Sequence, residues 1–292
     1  MKKICNICQN KKFDIISKKI RDSEYHKIIQ CCSCKHIQIF PIPEYDENRK
    51  FYDNDTMSKN LKINSIEKIR QKSKFDTEMN VKLVEKLASK TDKILEIGSG
   101  YGFFLYEMNK KGYDIQGIEI SKLRRIYSKK ISNVPVFDHD LTQSIPDMGK
   151  FDIIILFAVM EYIPDPIGFL SNIRQLLTAR GKLIIKSPNA NDIQLKLNPY
   201  YGNWFWQRAH INYLTDKIIK LLLKKTNFKN IKIYGLQRYS IENMFMWKFT
   251  NQPQLQNPTY SLNNDYQFID DYYKQYLEKR LVCDTLITIA KK

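Results

Sequence analysis

The strongest chemical signal in this chain is the stretch Ile94-Leu95-Glu96-Ile97-Gly98-Ser99-Gly100-Tyr101-Gly102-Phe103-Phe104. An apolar run ends in three glycines spaced G-x-G-x-G, and an apolar helical pattern starts at once. Such a turn lets a small molecule lie against backbone at the carboxyl end of a strand, where a side chain at any of the three glycines would intrude. The spacing is not that of dinucleotide folds, because Phe103 stands where their third glycine belongs. Glu119 ends the next apolar run, 21 residues after Gly98. A carboxylate there can accept hydrogen bonds from both hydroxyls of a ribose; the plainer alternative is a strand-end acid facing solvent.

A second constellation opens the chain. Cys5-x-x-Cys8 and Cys31-x-x-Cys34, with 22 residues between them, present four thiolates at the spacing of a structural zinc site. Four protein ligands leave no open position, so the metal is expected to hold structure. A segment of about 40 residues cannot bury enough surface to fold alone, which gives a metal staple its physical reason. Cys32 is expected to be a bystander, Cys283 a core residue, and His26 and His36 surface or structural histidines.

These residues need a scaffold, and the pattern supplies one. Strands are expected at 93–97, 113–118, 134–137, 151–157 and 182–186, with helices at 102–111, 121–131, 166–178 and 215–225. Strands separated by helix-length segments imply a parallel sheet with right-handed crossovers. Residues 228–235 and 282–290 read as two late strands, 46–60 as a polar loop, and Ile63, Ile66 and Ile69 as part of one or two leading helices.

With 43% hydrophobic and 27% charged residues, 292 residues suffice for one large α/β domain plus a small appendage. The formal charge of +17 falls to about +15 once a zinc tetrathiolate is counted. Lysines are scattered rather than gathered in one block, and a lysine-rich proteome is the plain reading against a dedicated polyanion surface. No segment approaches the ~18 apolar residues of a membrane span. The basic start lacks an apolar signal core, so a cytoplasmic location is expected.

The glycine stretch with Glu96 resembles motif I of the class I S-adenosylmethionine-dependent methyltransferases. Phe151-Asp152-Ile153 through Val159-Met160-Glu161-Tyr162-Ile163-Pro164-Asp165-Pro166 resembles the family segment FDxIxLxxVLEHIxDP, with Tyr162 in place of the customary histidine. Leu176-Leu177, Arg180-Gly181 and Lys186-Ser187-Pro188-Asn189 resemble its turn and fifth strand. The resemblance implies a Rossmann-like seven-stranded sheet whose last strand is antiparallel inside it. It also implies cofactor contacts from Glu96, Gly98, Ser99, Gly100, Gly102, Glu119, Asp140 and Phe157, with Asp138 competing for the place of Asp140 facing the adenine. Ile28-Ile29-Gln30-Cys31, Lys35-His36-Ile37-Gln38, Pro41-Ile42-Pro43 and Phe51-Tyr52 resemble the zinc-binding head before bacterial sugar and cell-envelope methyltransferases. Residues 1–45 are thus read as a zinc module, 46–90 as linker and leading helices, and 91–292 as the methyltransferase domain, with substrate-side insertions at 190–215 and 236–280. The P-loop spacing and the Asp/Asn-Pro-Pro-aromatic box of amino-methylating nucleic-acid enzymes are both missing.

The acceptor side is read from the insertions. Five of the seven residues from 200 to 206 are aromatic, and Trp204 and Trp206 can floor a sugar or nucleobase site or dock a lid helix. Methyl transfer from a sulfonium is an in-line displacement, so the enzyme mainly aligns the acceptor and removes its proton. His210, with an ordinary pKa near ~6.5, is the expected base, a packing role being the alternative; His139 is the second candidate. Gln237-Arg238-Tyr239-Ser240 resembles a segment of envelope-linked methyltransferases, and Arg238 could clamp a phosphate or carboxylate or belong to a solvated basic face. The expected reaction is O-methylation of a sugar or nucleotide-linked precursor of surface polysaccharide. RNA methylation and a non-catalytic binding role are the alternatives.

Overall fold

Runs dominated by isoleucine, leucine and valine become strands here because both their faces are covered. The computed structural model describes residues 3–44, 65–253 and 264–292. The amino-terminal module supplies β1 (Phe13–Ser17), β2 (Lys27–Cys31) and β3 (Ile37–Phe40). Helix α1 (Ile66–Glu85) leads into β4 (Lys93–Ile97), α2 (Phe103–Lys110), β5 (Asp114–Ile118), α3 (Lys122–Ser132), β6 (Val136–Phe137), β7 (Phe151–Phe157), α4 (Pro166–Leu176) and β8 (Leu177–Pro188). Two short helices follow, α5 (Gln194–Leu197) and α6 (Pro199–Phe205), then the two-residue β9 (Asn212–Tyr213). The chain ends with α7 (Asp216–Lys225), β10 (Lys229–Leu236), α8 (Ile241–Thr250), α9 (Gln267–Lys279) and β11 (Thr285–Lys291). The expected loop over 46–60, Ile63 and the Phe51-Tyr52 pair fall outside the described residues.

The main sheet has the order β10-β11-β8-β7-β4-β5-β6. Pairing is parallel from β8 through β6, while β11 lies antiparallel between β8 and β10. The seven strands and the closing hairpin are as the family resemblance implies. The period-two alternation of each strand divides its side chains between two layers. Leu95, Ile97, Ile154, Leu156, Leu183 and Ile185 pack with residues of α4 and α7. Ile94, Ile153, Ile155 and Ile184 pack on the other face with Val84 of α1 and Leu105 and Met108 of α2. Each such side chain contributes about 1.5–3 kcal/mol by leaving water.

Boundaries shift where neighbours decide them. The expected helix at 166–178 ends at Leu176, because β8 starts at Leu177 and runs through the expected Arg180-Gly181 turn to Pro188. The third strand keeps two residues, Val136 and Phe137, which is all that pairs with β5. Asp165 caps α4 by accepting from Ile167 and Gly168, with Pro166 in its first turn.

A second sheet, β1-β2-β3-β9, joins the two halves of the sequence. Its fourth strand, β9, comes from the expected substrate-side insertion, so the module has no clean energetic boundary at residue 45. Cys5, Ile7 and Cys31 are continuous with the core layer that holds α4 and α7. His26 and His36 are both buried, which makes them structural. The Ser23 hydroxyl lies 2.8 Å from Nδ1 of His26. Among the described residues, no helix is long and apolar enough to cross a membrane.

Candidate active site

The glycine turn is built as its spacing demands. Gly98, Gly100 and Gly102 have φ of 75°, 56° and 79°, a left-handed backbone that other residues enter at a cost. A Cβ on Gly98 would stand 2.7 Å from Val159, and one on Gly102 would stand 2.8 Å from the Cα of Ser128. A Cβ on Gly100 would meet nothing within 4 Å, so this residue presents bare backbone to open space. The amides of Gly98 and Ser99 both donate to the carbonyl of Ile118, at 2.8 and 3.1 Å, which fastens the turn to the end of β5.

Glu119 closes the turn from the neighbouring strand. One carboxylate oxygen accepts from the Gly100 amide at 2.7 Å, the other from the Ser121 amide at 2.8 Å. The side chain is 6% exposed, and burial raises its pKa despite those donors. Glu96 is 4% exposed, and its Oε2 has no hydrogen-bond partner. Burial, then the charge of Glu119, lifts the Glu96 carboxyl well above its ordinary range. Two buried carboxyls beside an open backbone turn suit a ligand that brings hydroxyl donors and positive charge. A ribose and a sulfonium or ammonium group meet both needs, so the residues fit the adenosyl cofactor.

Farther along the same edge, Asp140 accepts from the Thr142 amide and hydroxyl at 2.8 and 2.7 Å and shapes the loop after β6. Its competitor Asp138 pairs with Arg125 at 2.8 Å, and Arg125 also donates to the Glu119 carbonyl at 2.9 Å. His139 Nε2 lies 3.0 Å from the Ser144 carbonyl. Phe157 packs edge-on against Phe104 with ring centroids 5.2 Å apart. With Ala158, Lys186 and Thr285 it lines a cavity of about 200 Å³. Ala158 sits at φ 55°, an uncommon conformation for alanine, just past the end of β7.

Arg238 is placed differently from its expected role as an anion clamp. Its Nε is 2.7 Å from Asp284, and its Nη1 is 3.4 Å from Asp76. Lys186 completes the network, donating to Asp76 at 2.8 Å and to Asn80 at 2.9 Å. Burial opposes the charge on Asp76, but Arg238 and Lys186 hold its carboxyl below the ordinary value. The guanidinium is therefore committed to two carboxylates of this chain, and it braces α1 against the end of β11.

Trp204 and Tyr239 do come together. They line a cavity of about 170 Å³ with Asp192, Gln194, Gln237, Asn243 and Trp247. Asp192 accepts from the Tyr201 hydroxyl at 2.7 Å, and burial, then the charge of Asp284, pushes its pKa up to about 7. Trp206 is not part of this cavity. It is buried edge-on against Tyr213, 4.7 Å between centroids.

His210 is 7% exposed and contacts the Tyr162 ring edge-on at 5.2 Å. Gln207 Nε2 lies 3.0 Å from its Nε2. Burial, then the charge of Arg21, lowers its pKa to about 3, so the imidazole is neutral and less basic than the sequence suggested. Beside it stands a residue that motif reading passed over. Glu161 is 2% exposed, and neither carboxyl oxygen has a partner. Burial pushes it up to about 8. It matches the glutamate of the family segment FDxIxLxxVLEHIxDP, but that match gave it no role, and spacing does not report a missing partner.

Glu161 makes a testable contribution to stability. Its pKa rises from an ordinary 4.5 to about 8 on folding, so its stabilising effect is whole below pH 4.5 and is lost as pH rises through 8. Glu161→Gln does not ionise. Its melting temperature should therefore gain on the parent between pH 5 and pH 8, by the equivalent of about 3 kcal/mol. A difference that stays flat over that range contradicts the burial.

At the amino terminus the sulfurs of Cys5, Cys8, Cys31 and Cys34 all lie within 4.8 Å of one another. Cys5–Cys34 and Cys8–Cys31 are 3.6 and 3.5 Å apart. A tetrahedral zinc with bonds of about 2.3 Å spaces its sulfurs at about 3.8 Å, so the donor set fits that ion. Cys32 points to Asp14 instead, and Cys283 is buried in the core.

Comparison with known proteins bears on the family and the fold. The sequence model of a family described as a methyltransferase domain matches residues 70–233. A ubiquinone biosynthesis O-methyltransferase of Ruegeria sp. is 26% identical over 169 residues, 54% of this chain and 67% of that protein. The mitochondrial counterpart from Candida albicans is 23% identical over 246 residues, covering 72% of this chain and 73% of the relative. The match to the Histophilus somni counterpart spans only 45% of that protein. Among solved structures, the magnesium protoporphyrin IX methyltransferase of Synechocystis PCC 6803 with bound SAH aligns with a TM-score of 0.55 at 15% identity, over 85% of this chain and 100% of that one. A SAM-dependent methyltransferase from Archaeoglobus fulgidus gives 0.52 at 17%, over 77% and 99%. At such identities the likeness is one of fold.

Proposed function

Because the chain belongs to the methyltransferase domain family, we propose that it methylates a hydroxyl of a small sugar or nucleotide-linked acceptor. The observation that carries this reading is the cavity of about 170 Å³. Carboxyl and amide groups from Asp192, Gln194, Gln237 and Asn243 face aromatic walls from Trp204, Tyr239 and Trp247 there. Polar side chains set against flat rings suit a polyhydroxylated ring. Two curated relatives are named O-methyltransferases, which supports oxygen as the atom methylated. A surface-polysaccharide precursor is the acceptor favoured by the resemblance of the amino-terminal zinc head.

S-adenosylmethionine, when bound, supplies an electrophilic methyl carbon on a sulfonium. Glu119 and the Gly100 backbone would hold the ribose end, Glu96 would answer the positive charge, and Asp140 and Phe157 would flank the adenine and the methyl path. His210 stands on the acceptor side as the proposed proton acceptor. Bound S-adenosylmethionine would give its methyl group to the acceptor oxygen and leave as the thioether S-adenosylhomocysteine, and His210 would take the hydroxyl proton. A pKa near 3 makes His210 a weak base in the free protein, so its basicity must rise as negative charge gathers on the acceptor.

Purified protein given methyl-labelled S-adenosylmethionine with nucleotide sugars, envelope extracts, quinols and total RNA should label the sugar fraction. Label confined to RNA or quinols would overturn the acceptor class. With the acceptor in hand, His210→Ala should lower kcat by about 10²-fold with little change in cofactor affinity. Undiminished turnover removes it as the base.

A further inference from the structure

One amide side chain ties the cysteine knuckles to the acceptor side. Asn212, in β9, is fully buried, and both ends of its side chain are engaged. Its Oδ1 accepts from Asn6 Nδ2 at 2.8 Å and lies 3.1 Å from His36 Nε2. Its Nδ2 donates to the carbonyls of Met160 at 3.1 Å and Ile163 at 2.7 Å. Asn6 stands between two of the cysteines, Cys5 and Cys8, and donates in addition to the Pro164 carbonyl at 3.1 Å. The carbonyls held by Asn212 belong to the first residue of the Met160–Tyr162 turn and to the residue just beyond it. That turn carries Glu161, and Tyr162 packs on His210.

The same connection continues along β9. The Ile211 amide donates to the Glu161 carbonyl at 2.7 Å, while its carbonyl accepts from Ile39 in β3 at 3.0 Å. Upstream, the Arg21 amide donates to the Trp206 carbonyl at 2.7 Å, and the Arg208 amide donates to the Arg21 carbonyl at 3.0 Å. A buried amide with every donor and acceptor engaged has one orientation, so it fixes the spacing of what it joins.

We propose that Asn212 is a positioning residue, carrying the geometry of the zinc-bearing knuckle to the Met160–Tyr162 turn, whose Tyr162 packs on the proposed base His210. The bearing of that turn on catalysis, through His210, rests on the proposed function; the mechanical link does not. The knuckle is then part of the acceptor half of the enzyme. The cofactor half hangs on Ile118, Ser128 and Glu119.

The test uses zinc-loaded full-length protein, parent and Asn212→Ala, with Asn6→Ala as the milder variant. In Asn212→Ala, hydrogen exchange should quicken at least tenfold at the amides of Ile211, Tyr162 and Ile163. Zinc content should stay at one per chain, and S-adenosylhomocysteine affinity should stay within about twofold. With the acceptor identified, kcat should fall at least tenfold in Asn212→Ala while the KM for S-adenosylmethionine stays level. Asn6→Ala should shift exchange and kcat in the same direction by less, and the double variant should cost less than the sum of the two. Unchanged exchange at those three amides overturns the link, whatever the acceptor proves to be. Quickened exchange with undiminished kcat overturns the positioning role alone. Loss of zinc and cofactor binding together in both single variants would instead mean a general folding role and overturn the proposal.

Discussion

Glu119→Ala should weaken S-adenosylhomocysteine binding about hundredfold, the equivalent of about 3 kcal/mol, in a protein that stays folded. The carboxylate does two things at once. It holds the Gly100 and Ser121 amides at 2.7 and 2.8 Å, which sets the path of the glycine turn. Under the proposed role it also takes the ribose hydroxyls on its remaining lone pairs. Alanine removes the acceptor for both amides and leaves the ribose unanswered. Glu119→Gln keeps one acceptor oxygen, so it should fall between the two. Circular dichroism shows whether the sheet survives, and calorimetry gives the affinity. Parent-like affinity in the alanine variant would mean that the nucleoside is held elsewhere.

Stripping the metal with a strong chelator should melt the amino-terminal module ahead of the main domain. Structural zinc in small domains supplies on the order of 10 kcal/mol of folding free energy. The module has few other resources, because β1 to β3 are strands of four or five residues. Elemental analysis should find one zinc per chain, and Cys31→Ser should lower the first melting transition by roughly 10 °C or more. The effect should spread to β9, which pairs with β3 through Ile37–Tyr213 and Gln38–Asn212. A chain that melts at the same temperature with and without metal would contradict a zinc-stapled module.

The sequence told most about the parts where local chemistry decides the outcome. Three glycines at fixed spacing called for a turn bare of side chains, and the structure gives each of them left-handed backbone, which glycine enters most freely. Two cysteine pairs required a cluster, and the four sulfurs converge. Strands buried on both faces announced themselves as apolar runs. What stayed hidden depends on contacts between distant segments. Arg238 read as a ligand clamp because its partners, Asp76 and Asp284, lie 162 and 46 residues away in sequence. His210 read as an ordinary base because burial and the charge of Arg21 leave no mark on the residues around it. Trp206 looked like its neighbour Trp204, yet one faces the core and the other a cavity. The two-residue β9 carries no periodicity, and its place in the amino-terminal sheet comes from pairing with β3, far away in sequence.

The most direct test of the whole account is a calorimetric titration of zinc-replete, folded protein with S-adenosylmethionine. Uptake of one equivalent, strongly weakened by Glu119→Ala and retained in Asn212→Ala, is the result the site geometry predicts. Absence of any uptake by the parent protein would contradict the assignment of the glycine turn, Glu96 and Glu119 as a cofactor site.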